Sequence, residues 1–195
     1  MTGTQPRVVA LCGSLRDESR TRIALHRVLS ATAGAGGTTT LLDLRALELP
    51  MLNAETEAGS EDTERLTATI AEADSVVLGT PNYHGSYSGA LKNALDHCGR
   101  EELADTTVGL LEVAGGEFPG TALAHLRAVC RTLHAWTLPT EVAIPESPTR
   151  ITDDDVQDPE VADRLDRLGR ELVAYADVAQ VPGRTRADPT PQTSD

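Results

Sequence analysis

The stretch VVALCGSLRDESRTRIALHRVL, residues 8–29, reads as strand, loop and helix in succession. Val8 to Cys12 is a continuous apolar run of strand length, the pattern of a strand buried on both faces of a parallel sheet. It stops at Gly13. From about Glu18 the period changes, and Ala24, Leu25, Val28 and Leu29 fall on one helical face. Between the two lie Ser14, Arg16, Ser19 and Thr21. Helix N-termini present unpaired N–H groups and a partial positive charge, so hydroxyls and a cation at this junction suit a phosphate. The other reading is an ordinary strand-to-helix turn with Ser19 as its N-cap.

The same alternation continues along the chain. The first helix ends in GAGG, residues 34–37, and TTTLLDL, 38–44, reads as a second strand. Residues 45–60, with Pro50, Asn53 and Gly59, read as a long loop before a helix through Leu66, Ile70 and Ala73. SVVLGTP, 75–81, is a buried third strand, followed by the loop NYHGSY and a helix with Ala90, Leu91, Ala94 and Leu95 on one face. TVGLLEV, 107–113, is strand four; Leu123, Leu126, Cys130 and Leu133 mark the next helix, and LPTEVAI, 138–144, is strand five. Val161, Leu165, Leu168, Leu172 and Tyr175 form a final helix, with the acidic Asp153–Asp155 expected at its start. The segment 181–195, rich in Pro, Thr, Asp and Arg, is expected to be disordered beyond a single domain over 1–180.

Strands alternating with helices imply an α/β fold, a three-layer sandwich with a parallel sheet between helices. Five strands favour the flavodoxin-like order 2-1-3-4-5, with its ligand crevice at the C-terminal ends of strands one and three. The loops GSLRDESRT (13–21), PNYHGSYSG (81–89) and AGGEFPG (114–120) then open on one edge. They are also the loops richest in Gly and polar residues.

Composition removes several function classes. The net charge of −13 and pI near 4.7 leave no basic face for nucleic acid or for an anionic membrane surface. Lys92 is the sole Lys among 17 basic residues, and the acidic surplus fits a salt-adapted or high-GC source. Three dispersed cysteines, Cys12, Cys98 and Cys130, form no CxxC or zinc pattern and fit a reducing cytosol; no metal site is expected. MTGTQPRVVALCG lacks the apolar core of a signal peptide, and no run approaches the ~20 apolar residues of a membrane span, so a cytoplasmic location is expected.

The first loop is neither GxxxxGK[ST] nor GxGxxG. Nor is it the C-x5-R-[ST] cradle of low-molecular-weight tyrosine phosphatases: six residues after Cys12 stands Glu18. Cys12 reads as a small buried residue at a strand end. The pattern G-S-L-R-x-x-S at 13–19, followed by P-N-Y-H-G-S-Y-S-G-A-L-K-N-A-L-D at 81–96, resembles the NADPH-dependent FMN reductase family over roughly residues 7–145.

That resemblance implies FMN as cofactor and NADPH or NADH as co-substrate, with a small-molecule electron acceptor such as a flavin, quinone, azo compound or oxyanion. It implies that Ser14, Arg16, Ser19, Arg20 and Thr21 hold the FMN phosphate. Pro81, Asn82, Tyr83, His84, Gly85 and Ser86 lie along the flavin and ribityl chain, and Ala114, Gly115, Gly116 and Glu117 at the isoalloxazine edge. Two positions depart from the family: Asn82 stands where Glu is common, and Ala114 where Ser is common. A homodimer or homotetramer is implied as well. No catalytic side chain is expected, because hydride chemistry belongs to the cofactor. Lys92, Asn93 and Asp96 read as structural, Trp136 as core or subunit contact, and His97, His125 and His134 as helical residues without a role. An electron carrier or flavin-binding regulator without nicotinamide activity is the competing function.

Overall fold

Five parallel strands form one sheet in the order β2-β1-β3-β4-β5: β1 (Arg7–Cys12), β2 (Thr38–Asp43), β3 (Ser75–Pro81), β4 (Thr107–Val113) and β5 (Trp136–Ile144). The computed structural model describes residues 5–55, 59–152 and 154–177. The tail expected to be disordered, 181–195, and Asp153 of the acidic cluster lie outside the described residues. The helices are α1 (Arg20–Gly34), α2 (Glu61–Ala71), α3 (Gly89–Asp96), α4 (Arg100–Leu103), α5 (Thr121–Thr132), α6 (Ser147–Arg150) and α7 (Pro159–Ala174). The flavodoxin-like arrangement expected from the alternation is therefore the one observed.

Period-two alternation splits the core into two layers. Val8, Ala10 and Cys12 of β1 join Ala24, Leu25 and Val28 of α1 and Leu165, Leu168 and Leu172 of α7 on one face. Val9 and Leu11 face the other way, with Leu66 and Ile70 of α2, Leu91 and Leu95 of α3, and Leu123 and Leu126 of α5. With few aromatics, the packing is made by Leu, Val and Ala, and tight approaches replace large rings. Gly169 shows this at the α1–α7 contact: a Cβ there would lie 2.4 Å from the Val28 carbonyl oxygen and 2.8 Å from Ala31 Cβ. The bidentate Arg27–Asp166 pair, at 2.8 and 2.7 Å, closes the same contact.

Several local expectations change. The last helix does not begin at the acidic cluster; Asp154 and Asp155 lie in a bend, and Asp158 caps α7 through the Glu160 and Val161 amides, with Pro159 in its first turn. A capping carboxylate and N-terminal proline outweigh a run of carboxylates as a start signal. β5 starts at Trp136, and Pro139 is accommodated because β5 is an edge strand beside a register shift at Val108/Leu110. Trp136 is accordingly not core: it is 37% exposed and packs on Tyr175, ring centroids 6.0 Å apart. His134 sits just past α5 at φ 60°, not on the helix. The loop after β2 begins with a 3-10 turn, Leu44–Ala46, and is held to α3, where Asn93 bonds the Pro50 carbonyl and the Leu52 amide and His97 bonds the Pro50 carbonyl. Lys92 pairs with Asp96 on the same helix.

Gly169→Ala is expected to destabilise the protein despite the ~1 kcal/mol helix-propensity gain of Ala over Gly. The neighbour is backbone, so the two helices must separate; overpacking of this kind costs ~1–3 kcal/mol. The check is a urea midpoint lowered at unchanged m-value.

Candidate functional site

Because every strand runs the same way, the loops after β1, β3 and β4 leave the sheet together. Register places Cys12 beside Gly79 and Pro81 beside Val113. The first loop is anchored at its root: the Gly13 amide donates to the Gly79 carbonyl at 2.8 Å, and Ser88 Oγ donates to the Gly13 carbonyl at 2.6 Å. Ser88 Oγ also caps α3 by accepting from the Leu91 amide at 3.1 Å, and the Ser88 amide donates to Thr80 Oγ1 at 3.0 Å. Gly13 must be glycine, since a Cβ would sit 2.9 Å from Leu91 Cβ and 3.0 Å from the Gly79 carbonyl.

Ser19 is the N-cap of α1, accepting from the Arg22 amide at 3.1 Å. Ser14, Ser19 and Thr21 are all buried, although serine and threonine are usually surface residues. The first turn of α1 holds no acidic residue, and the Arg20 and Thr21 amides lie within it without hydrogen-bond acceptors among the described residues. Asp17 is engaged by two arginines: Arg45 pairs with its carboxylate and Arg22 donates to its carbonyl, while Arg22 also pairs with Asp43 at 3.1 Å. Arg20 Nε donates to the Ile151 carbonyl at 3.3 Å, tying α1 to the segment after α6. Arg16 is exposed and has no ion pair among the described residues. Hydroxyls, helix-terminal amides and an uncommitted guanidinium are the donor set of a phosphate cradle.

The second loop is a tight turn. Tyr83 and Ser86 exchange backbone bonds at 2.9 and 3.1 Å, and His84 and Gly85 both take positive φ, 53° and 78°. Asn82 Oδ1 accepts from the Gly85 amide at 3.0 Å, and Asn82 Nδ2 donates to the buried Glu112 carboxylate. Ser86 Oγ lies 3.0 Å from His125 Nδ1, and Tyr87 packs edge-on to the same His125 rather than standing free. Tyr83 is 48% exposed.

The third loop turns its carbonyls inward. The Ala114 carbonyl accepts from the Ser147 amide and that of Gly116 from the Glu146 amide, both at 2.9 Å. Gly115, Gly116 and Glu117 are exposed, Ala114 is buried, and a Cβ on either glycine would meet nothing within 4 Å. The Gly115 and Gly116 amides make no hydrogen bond among the described residues. Open backbone donors without side chains allow a flat ring to approach. Each of the three loops also presents a large exposed apolar side chain: Leu15 at 56%, Tyr83, and Phe118 at 88%. The residues present fit both halves of a flavin mononucleotide, phosphate and ring.

Several residues that shape this edge carried no assignment from the sequence: Ser88, Glu112, Arg22, Arg45, Leu15 and Phe118. Glu112 left a trace, a carboxylate inside the apolar run TVGLLEV, where an unpartnered charge is costly. The others had none, since their partners are remote in sequence. An open groove of about 690 Å³ between α1 and α7, lined by His26, Arg27, Asp155 and Arg170, includes no residue of the three loops; the loop edge carries the donor geometry and is the candidate site. Among the described residues no His, Cys, Asp and Glu group is placed to hold a metal, and no helix is long and apolar enough to cross a membrane.

The chain belongs to the NADPH-dependent FMN reductase family, whose model matches residues 6–149. Among curated proteins it is similar to an FMN-dependent NADPH-azoreductase of Staphylococcus saprophyticus, 41% identical over 98 residues, which is 50% of this chain and 52% of that one. It is also similar to the FMN-dependent NADPH-azoreductase of Staphylococcus aureus, 48% identical over 75 residues, 38% of this chain and 40% of the relative. The matched stretch thus spans about half or less of these relatives' length. Of solved structures, the flavoenzyme NAD(P)H:(acceptor) oxidoreductase FerB of Paracoccus denitrificans superposes with TM-score 0.74 at 21% identity, over 89% of this chain and 98% of that one. An oxidoreductase of Corynebacterium diphtheriae gives 0.72 at 21% identity, over 91% and 99%. At such identity these two likenesses show the fold. The family's own description agrees with FMN and NADPH as the expected cofactor and co-substrate.

Two measurements check the site's construction. Ser88→Ala removes the α3 cap and the bond to Gly13 together, and a stability loss of ~1–2 kcal/mol in denaturant unfolding is expected. Burial pushes the Cys98 thiol up to about 12, that of Cys130 to about 11, and that of Cys12 above its ordinary value. All three cysteines are buried, so native protein at pH 8 is expected to resist a thiol-specific chromogenic reagent until denatured.

Proposed function

We propose that this protein is an FMN-dependent NAD(P)H oxidoreductase that reduces a small organic or oxyanion acceptor, with azo compounds and quinones the first classes to assay. The observation that carries this reading is the meeting, at one sheet edge, of two kinds of donor. Buried Ser14 and Ser19, the first amides of α1 and Arg16 suit a dianionic phosphate; the Gly115 and Gly116 amides, beside exposed Tyr83 and Phe118, suit the polar rim and faces of a heteroaromatic ring. The family membership and the azoreductase relatives support the same assignment.

When bound, FMN supplies two-electron chemistry, taking hydride from a reduced nicotinamide and giving it to a second substrate. This chain's residues bind and orient. Ser14, Ser19, Thr21 and Arg16 hold the phosphate, with Arg20 contributing its backbone amide while its guanidinium braces the Ile151 carbonyl. Pro81 to Ser86 form the wall of the ring site, shaped by the Asn82–Gly85 bond. Ala114 anchors the third loop through its carbonyl and amide, and Gly115 to Glu117 offer the backbone donors at the ring edge. No side chain among these residues is assigned as nucleophile or acid, because the hydride transfer requires none.

The test is a visible spectrum of the purified protein, reconstituted with FMN, before and after anaerobic NADPH. Flavin bands that bleach on NADPH or NADH are the expected result. Bands that persist with both nucleotides favour the electron-carrier reading, and a protein that refuses FMN overturns the assignment. Arg16→Ala is expected to weaken FMN binding about tenfold or more, measured by fluorescence quenching, since it removes a charge-assisted contact to phosphate.

A further inference from the structure

We infer that Glu112 is a positioning residue: acting through Asn82, its carboxylate sets the Tyr83–Ser86 turn against the third loop, and with it the ring side of the cofactor site. The inference rests on the flavin reading of these loops.

Glu112 lies near the end of β4 with no exposed surface, at a strand position where an apolar residue would be the ordinary choice. Its partners are all donors. One oxygen, Oε2, accepts from the Gly120 amide at 2.9 Å and the Leu123 amide at 3.3 Å. These are the N-cap and third residues of α5, whose cap, Gly120 at φ 126°, has no side chain to do this itself. The other oxygen, Oε1, accepts from Asn82 Nδ2. Capping α5 engages Oε2 alone. The bond to Asn82 is the part of the arrangement that capping does not require.

The orientation of Asn82 follows from its neighbours. Its Oδ1 accepts from a backbone amide, Gly85, so the opposite side of the carboxamide must be Nδ2, facing Glu112. Gly85 and His84 hold positive φ, an arrangement that needs external support at the non-glycine position. A continuous chain of bonds therefore runs from the α5 terminus through Glu112 and Asn82 to the Gly85 amide. The same Asn82 donates its own backbone amide to the Val113 carbonyl at 2.9 Å, one residue before the third loop begins. The second and third loops are thus fixed to each other through one carboxylate and one carboxamide.

The donor and acceptor pattern makes this testable by exchange. In Glu112→Gln, the single oxygen satisfies the α5 amides and the new Nε2 faces Asn82 Nδ2, donor against donor. Asn82 must flip, and Gly85 loses its acceptor. Asn82→Asp alone sets two carboxylates against each other. In the double variant Asn82→Asp/Glu112→Gln, the carboxylate introduced at position 82 accepts from the carboxamide introduced at position 112 and from the Gly85 amide. Every bond is then restored, with the charge moved from one position to the other.

The experiment measures FMN dissociation constants by fluorescence quenching for the wild type, both single variants and the pair. In parallel it measures hydrogen exchange at the Gly85 amide in flavin-free protein by NMR. Each single variant is expected to bind FMN about tenfold more weakly and to exchange Gly85 faster, and the double variant to return to within about threefold of wild type. An effect of Glu112 confined to α5 and the fold would lower thermal stability yet leave Gly85 protected and the double variant unrescued, which overturns the inference. So does Glu112→Gln binding FMN like wild type. If Glu112→Gln does not fold, Asn82→Ala keeps the α5 cap and breaks the link to Gly85; protected Gly85 and unchanged FMN affinity in that variant overturn the inference equally. Wild-type protein that takes up no FMN overturns the flavin reading itself, and with it the cofactor side of this inference. The Gly85 amide still reports whether the Glu112–Asn82 link sets the turn.

Discussion

A parallel sheet cannot be joined by tight hairpins, because each strand must be followed by a segment that carries the chain back to the starting edge. Here α1, α2, α3, α5 and α7 do this work or close its outer face, and the loops after β1, β3 and β4 consequently emerge side by side. Everything at the candidate site depends on that constraint. The residues that form it lie from Gly13 to Ser147 along the chain, and the strand direction brings them to one edge before any side chain chooses a partner.

Gathering loops at a sheet edge leaves strand-end carbonyls, helix-start amides and turn groups that need partners. Three polar residues of the interior meet that need. Thr80 accepts from the Ser88 amide, Ser88 caps α3 and bonds Gly13, and Glu112 caps α5 and bonds Asn82. Each is buried, and Ser88 and Glu112 join elements that the chain order separates. An unsatisfied buried polar group costs ~1–3 kcal/mol, so such residues are favourable only as a complete network. Donors are left over at the start of α1 and in the exposed Gly115–Gly116 segment.

The electrostatics of the site run against those of the molecule. A chain of net charge −13 repels an anion at long range, more so at low salt. The loop after β1 is locally balanced, with Arg16 and Arg20 against Asp17 and Glu18. Arg45 and Arg22 hold Asp17, no acidic side chain occupies the first turn of α1, and Arg16 is left unpaired among the described residues. The loop thus combines open donors with one carboxylate, Asp17, that is already paired.

Much of this was legible in residue order. The run Val8–Cys12 and its switch to helical period announced the first βα unit; the apolar runs ending at Pro81 and Val113 matched β3 and β4 residue for residue; and GSLRDES with PNYHGSYSG named the loops. These signals are local, since burial on two faces, helical period and turn residues each leave a mark within a few positions. The start of α7 was misplaced, because Asp158 and Pro159 decide it in competition with an equally plausible run of aspartates. The roles of Ser88, Asn82 and Glu112 were hidden for a different reason. A hydroxyl, a carboxamide and a carboxylate say which bonds they are able to make, not with whom, and partners 75 and 30 residues away are chosen only when the sheet closes. The sequence by itself determined the strands, the helices and the loops that converge at the candidate site; the tertiary structure decided which donors those loops keep for themselves and which they leave open, because hydrogen bonds across the sheet edge are non-local.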